Sequence, residues 1–297
     1  MIDLSRLTPP DAIEPLDFET LYSGFLARFL VAWNDARSRN PALPAYDVEG
    51  LETDPVNMIG EAWSYLRLLD RARVNDGIRS VLAPLAVKGD LDQVVARLGI
   101  ERLVVAPATA TMAAVMESDA RLLMRYLLAF SRGSAGSAER YLLEAYTAWP
   151  SLHHAAVNGR AVHGRRGDVD LVLAGPDGRD PTDDEMALVR TAVAPVKPEA
   201  HALTVLRAAR NLYTVAGSIK VEVGPDAETV RAEAVKRIQS AASERTRIGA
   251  EVPRALIAGA AFGTSIIRAD LTAPSADIPA APYAIPVLGT VAIVVSP

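Results

Sequence analysis

The chain has 297 residues, of which 50% are apolar and 23% charged, with a formal net charge of −5 and no cysteine. That balance excludes intrinsic disorder, and a mildly acidic chain is a poor coat for nucleic acid, which calls for a basic surface. Without cysteine there is no disulfide, thiolate-zinc site, iron–sulfur cluster or cysteine nucleophile, a usage that fits assembly in a reducing cytoplasm.

Residues 1–17 are rich in proline and acid and follow no period, so they read as an extended arm. From Phe18 the pattern changes. Phe18, Leu21, Tyr22, Phe25, Leu26, Phe29, Leu30 and Trp33 fall on one helical face, with Asp17 as N-cap and Asn40-Pro41 as a stop. Two readings are open for this stripe: a core-facing helix, or a partner-facing helix in a bundle. Leu4 and Leu7 of the arm join it as candidate interface residues. A second helix is expected from Thr53-Asp54-Pro55, where proline suits the first turn. It runs through Met58, Ala62, Tyr65, Leu66 and Leu69, with Arg67, Asp70, Arg71, Arg73 and Asp76 on a solvated face. A shorter helix around Leu91–Leu98 ends at Gly99, and Leu103–Val115 reads as a connecting stretch. Ser118 or Asp119 opens a helix, and Ala138–Trp149 forms another before Pro150.

Beyond Pro150 the pattern becomes strand–helix–strand. Val169–Leu173 is an expected strand. Thr182 and Glu185 form a capping-box pair at the start of a helix reaching about Ala194. His201–Leu206 is an expected strand. Leu212–Val223 alternates, with Tyr213, Val215, Ile219, Val221 and Val223 on one face, which predicts a half-buried sheet. Helices follow from Asp226 to about Arg247 and over Val252–Phe262, then strands Ile266–Thr272 and Ile285–Val295. Ile278–Pro297 is a twenty-residue uncharged stretch. Pro279, Pro282 and Pro286 argue against its being a membrane helix, and Pro286 suits a strand start or edge. The N-terminus lacks the basic stretch and apolar run of a signal peptide.

The two halves differ. Of 16 aromatic residues, 13 lie in residues 1–150, which carry 20 acids and 15 bases against 16 of each in residues 151–297. The expected class is α+β: an arm over 1–17, a helical domain over 18–150, and an α+β region over 151–297, with modules 151–210 and 211–297 as an option.

Catalytic constellations are sparse. His153, His154, His163 and His201 show no metal-ligand spacing. Asp183-Asp184-Glu185 is explained by a helix N-terminus. Gly133-Ser134-Ala135-Gly136 is not a nucleophile elbow, because Arg132 holds the first glycine position. No phosphate-cradling glycine loop is present. Gly259 and Gly263 suit close helix packing, and Arg160, Arg165 and Arg166 a solvated hairpin. No catalytic residue, metal or cofactor is expected, and apolar helical stripes favour an assembly component over a catalyst.

Several segments together resemble the baseplate J-like proteins of contractile-tailed bacteriophages. They are Ile2-Asp3-Leu4-Ser5-Arg6-Leu7 with Leu16-Asp17-Phe18-Glu19-Thr20-Leu21, then Gly89-Asp90-Leu91-Asp92, then Gly99-Ile100-Glu101-Arg102-Leu103-Val104. Met116-Glu117-Ser118-Asp119, Ser134-Ala135-Gly136, Gly224-Pro225-Asp226 and Ala273-Pro274-Ser275-Ala276-Asp277-Ile278 follow in the family's order. Departures are Leu123 in place of the first arginine of an Arg-x-Arg pair, Lys197-Pro198-Glu199-Ala200-His201 in place of an Arg-Pro-x-Thr-Asp run, and a shortened stretch between Pro107 and Met116. The resemblance implies a non-enzymatic wedge subunit of the tail baseplate, assembled in the host bacterial cytoplasm. Its implied partners are a second copy of itself, a smaller tail protein joined through a helical bundle, a sheath-initiator-like wedge protein, and neighbouring wedges in a ring around the central hub. Neither nucleic acid nor membrane is an implied partner. A tail-associated hydrolase and a receptor-binding tail protein are the alternatives.

Overall fold

The computed structural model describes all residues except 1–7, 9, 48–50, 131, 225 and 297. The chain divides into two compact units, Met1–Glu101 and Arg102–Pro297.

The first unit is helical. Helix α1 spans Phe18–Arg39, and its N-cap Asp17 accepts from the Glu19 N–H and the Thr20 hydroxyl. It stops at Asn40, as the Asn-Pro pair predicts. Helix α2 spans Pro55–Ser80, with Pro55 in the first turn and Asp54 accepting from the Val56 N–H. The Tyr46 hydroxyl donates to the same Asp54 carboxylate at 2.7 Å, which folds the connection back on the helix start. α1 and α2 pack on each other. Helix α3, Lys88–Ala96, buries Leu91, Val94 and Val95, and Gly99 follows it with φ +64°, in the left-handed region that glycine favours.

The second unit is α+β. Strands β1 (Val104–Ala106) and β2 (Val115–Met116) form a small antiparallel pair inside the stretch expected to be only a connection. Helices α4 (Asp119–Ala129) and α5 (Ala138–Ala148) are capped by the hydroxyls of Ser118 and Ser137. α5 packs on β3 (His154–Asn158) and on α7 (Asp183–Val193). The change of pattern at Pro150 therefore falls inside this unit.

β3, β4 (Asp168–Ala174) and β5 (Ala202–Arg207) form the first sheet. β3 and β4 are antiparallel, with the one-turn helix α6 (Arg160–His163) between them. β4 and β5 are parallel, and α7 makes the crossover that parallel pairing needs. Neither β3 nor α6 was anticipated as an element; β3, His-Ala-Ala-Val-Asn, lacks the branched alternation that marks a strand. The predicted capping box at Thr182 and Glu185 is present.

The second sheet has the order β7-β6-β8, with β6 Ala209–Val221, β7 Ile266–Ala273 and β8 Ala284–Ser296. β6 runs antiparallel to β7 and parallel to β8. Pro286 is the third residue of β8, an edge strand, where a missing donor costs least. Tyr213, Val215 and Ile219 are buried as the alternation predicts, whereas Val223 lies beyond the strand end and is exposed. Helices α8 (Ala227–Ser243) and α9 (Arg254–Ala261) pack together, and their Val230, Ala234, Ile238, Ala242, Ile257 and Ala261 join the sheet's buried face. Aliphatic side chains, isoleucine most often, fill nearly all of this core, in keeping with the scarcity of rings after residue 150.

The two sheets are not independent. Val172 and Ala174 of β4 share a buried cluster with Ile285 and Val287 of β8 and with Ile248 from the loop after α8. Gly178 sits at this seam with φ +72°, and a Cβ there would lie 2.6 Å from Val287 Cγ2, so this close approach requires glycine.

Candidate interaction surfaces

The aromatic stripe of α1 faces α2 within the chain. Leu21 is buried and Phe18, Tyr22, Phe25, Leu26, Phe29, Leu30 and Trp33 are half-buried. Phe25 lies 5.6 Å from Trp63 between ring centroids, and Phe29 lies 4.9 Å from Tyr46. Leu4 and Leu7 lie outside the described residues. The last part of the arm is held by side chains of α2. The Glu14 N–H donates to Asn75 Oδ1 at 3.0 Å, Asn75 Nδ2 donates to the Glu14 carbonyl at 2.7 Å, and Arg71 pairs with the Glu14 carboxylate at 2.7 Å. Asn75 is buried, and this double bond to backbone satisfies its amide.

What α2 offers to α1 is small and polar. Its buried residues are Asn57, Gly60, Ser64 and Asn75. A Cβ on Gly60 would lie 2.6 Å from the Phe25 ring, so the glycine is what lets that ring approach the helix. At 3.6 residues per turn, Met58, Ala62, Tyr65, Leu66 and Leu69 lie on the opposite side. They are exposed, with Ile59 at 61% and Leu66 at 62%, and Trp63 at 45% borders them. The usual orientation of an amphipathic helix is therefore inverted in the single chain. The line Met58–Leu69 is legible in the sequence as an apolar stripe; that it points outward is not. The signal was the coincidence of Asn57, Gly60 and Ser64 on one face, a surface flat enough to seat rings.

Residues 52–109 match the family model described as the baseplate J-like N-terminal domain, a span that contains all of α2 and α3. Over 296 residues the chain is 29% identical to baseplate protein J of Escherichia phage P2, an alignment covering 94% of this chain and 92% of that relative. In both comparisons the chain is similar to baseplate J-like proteins.

In this chain the polar clusters found in the sequence serve the fold. Among the described residues no group of three or more histidine, cysteine, aspartate or glutamate side chains is placed to hold a metal ion, and no helix is long and apolar enough to cross a membrane. Glu185 of the acidic run completes the capping box and pairs with Arg179, which holds its carboxyl down to about 2; Asp183 pairs with Arg207 at 2.5 Å. Arg165 of the basic cluster pairs with Asp168 and with buried Asp170, which also accepts from the Tyr283 hydroxyl at 2.7 Å. His201 Nδ1 meets the Tyr141 hydroxyl at 3.1 Å.

His153 and His154 hold one turn between them. His153 Nε2 lies 2.7 Å from the Thr246 carbonyl, and His154 Nδ1 accepts from the Ile248 N–H at 3.2 Å. Burial lowers the His154 pKa from 6.5 to about 4, and the charges of His153, Arg247 and Arg121 act in the same direction. Its folded pKa lies below the unfolded one, so it contributes stability above pH 6.5 that is lost as pH falls toward 4. At roughly 1.4 kcal/mol per unit the full loss is of order 3 kcal/mol. His154→Asn keeps an acceptor near the Nδ1 position without the titration. Urea midpoints between pH 7 and pH 4 should fall less steeply for the variant than for the natural chain. Parallel profiles would show that another group governs the acid limb.

Proposed function

We propose that the chain is a structural subunit of the baseplate wedge in a contractile phage tail or phage-tail-like particle. The relationship to baseplate protein J supports the baseplate role. The observation that carries the assembly role is the outward apolar line of α2, Met58–Leu69, on a helix whose opposite face is occupied by α1. Monomeric soluble proteins rarely leave a contiguous apolar line of this kind in water. Helices from other chains would cover it and complete a bundle. The partners of that bundle are a second copy of this chain and a smaller tail protein, with the half-buried α1 stripe contributing at its margin. Residues 151–297 would carry the contacts between neighbouring wedges and to a sheath-initiator-like protein, and the ring so formed would rearrange when the sheath contracts. Only three of the 16 aromatic residues lie after residue 150, so contacts made there would be individually weak and exchangeable.

The test is location. In particles carrying an affinity-tagged copy, antibody label should appear at the distal end of the tail tube by electron microscopy. Label on the capsid or along the sheath, or its absence from finished particles, would overturn the proposal.

A further inference from the structure

The edge of the first sheet carries a second, chemically different surface. β5 is an edge strand. The Ala202 N–H donates to the Gly167 carbonyl and the Ala208 N–H to the Leu173 carbonyl, each at 2.8 Å, so the even-numbered residues turn their backbone groups toward β4. By the alternation of the ladder, Leu203 and Val205 direct theirs to the open side. Along that side runs a groove of about 380 Å3, with Leu203, Val205 and Val193 as apolar walls and Arg190 and Lys197 as its charged ones. No acidic side chain lines it. Among the described residues neither cation has an ion-pair partner.

We propose that this groove takes an acidic, extended segment of a partner protein, added to β5 as a fourth strand, its carboxylates meeting Arg190 and Lys197. Backbone bonds to Leu203 and Val205 would supply binding, and alternate side chains would read the apolar walls. The cations select the occupant. A second copy's β5 would bring the same two positive charges against these, so self-pairing is disfavoured, the usual use of basic residues at an exposed edge. An acidic strand turns that repulsion into attraction and speeds encounter. The site goes beyond the wedge role and stands whether or not α2 enters a bundle.

The full-length chain, isotope-labelled for amide NMR, would be titrated with acetyl-Glu-Val-Thr-Val-Glu-Val-amide and with its counterpart carrying lysine for glutamate. The acidic peptide should shift the amides of Leu203 and Val205 saturably and slow their hydrogen exchange. The lysine peptide should bind at least about tenfold more weakly. Arg190→Glu with Lys197→Glu, both on exposed side chains, should reverse the preference while leaving the melting curve in place. Three results would overturn the proposal: equal response to both peptides, shifts confined to another surface, or no response to either, which would leave the cations as guards against edge pairing only.

Discussion

Arg125→Met is expected to lower the stability of residues 102–297 by about 3–5 kcal/mol, the cost of leaving one member of a buried ion pair unpaired. Arg125 Nη1 lies 2.7 Å from Glu117 Oε2, with the two side chains 3% and 1% exposed. The same oxygen accepts from the Leu103 N–H at 3.2 Å, the Arg102 guanidinium donates to the Glu117 carbonyl at 2.6 Å, and Arg125 Nε reaches the Thr147 hydroxyl at 3.3 Å. Glu117 immediately precedes Ser118, the N-cap of α4, so the pair ties the β1–β2 segment, α4 and α5 together. Methionine fills much of the arginine's volume but leaves a carboxylate buried without its cation. For a unit of this size each kcal/mol is worth about 2–4 °C, so the melting transition should drop by roughly 6–20 °C. Arg125→Met with Glu117→Gln removes the stranded charge and should recover part of the loss. A single variant within about 1 kcal/mol of the natural chain in urea unfolding would show that water reaches the pair and screens it.

Ile59→Asp with Leu66→Asp should abolish co-assembly with the wedge partners and leave the chain folded. Both side chains are more than half exposed and both lie on the side of α2 away from α1. In the free chain the change should be worth less than about 0.5 kcal/mol, as for other exposed positions. Burying two carboxylates in a helical bundle would instead cost several kcal/mol each. The measurement is size-exclusion chromatography with light scattering after co-expression with the adjacent tail genes, beside a melting curve of the chain alone. Normal complexes would remove α2 from the interface. Acidic substitutions at Phe25 or Phe29 cannot make this distinction. Those rings also pack against Trp63 and Tyr46 of the same chain, so the hairpin itself would be damaged.

Local signals in the sequence proved legible because the interactions behind them span three or four residues. Asp17, Asp54, Ser118, Ser137, Thr182 and Asp226 all cap the helices that follow them with side-chain acceptors. Pro286 sits where a missing donor is tolerated, and the alternation around Tyr213, Val215 and Ile219 marks the buried face of β6. The pairing of Glu117 with Arg125, the grip of two adjacent histidines on Thr246 and Ile248, and the double bond between Asn75 and Glu14 were not legible. Each joins residues whose neighbourhood exists only after distant segments meet, in the last two cases across 61 to 94 positions.

Composition and periodicity by themselves determined that the chain is α+β, that most of its aromatic rings lie in the first 150 residues, and that the later core holds few rings. They could not determine which side of α2 faces inward. An apolar stripe is driven out of water wherever cover is available, and a helix with Gly60 and Ser64 on one side and Leu66 on the other can be covered from either. Tertiary structure decided it: the rings of α1 need the flat surface that glycine and serine provide, and that choice leaves the leucine side for another chain. The unevenness between residues 1–150 and 151–297 thus does not mark the division between the two units, which falls at Glu101 and Arg102.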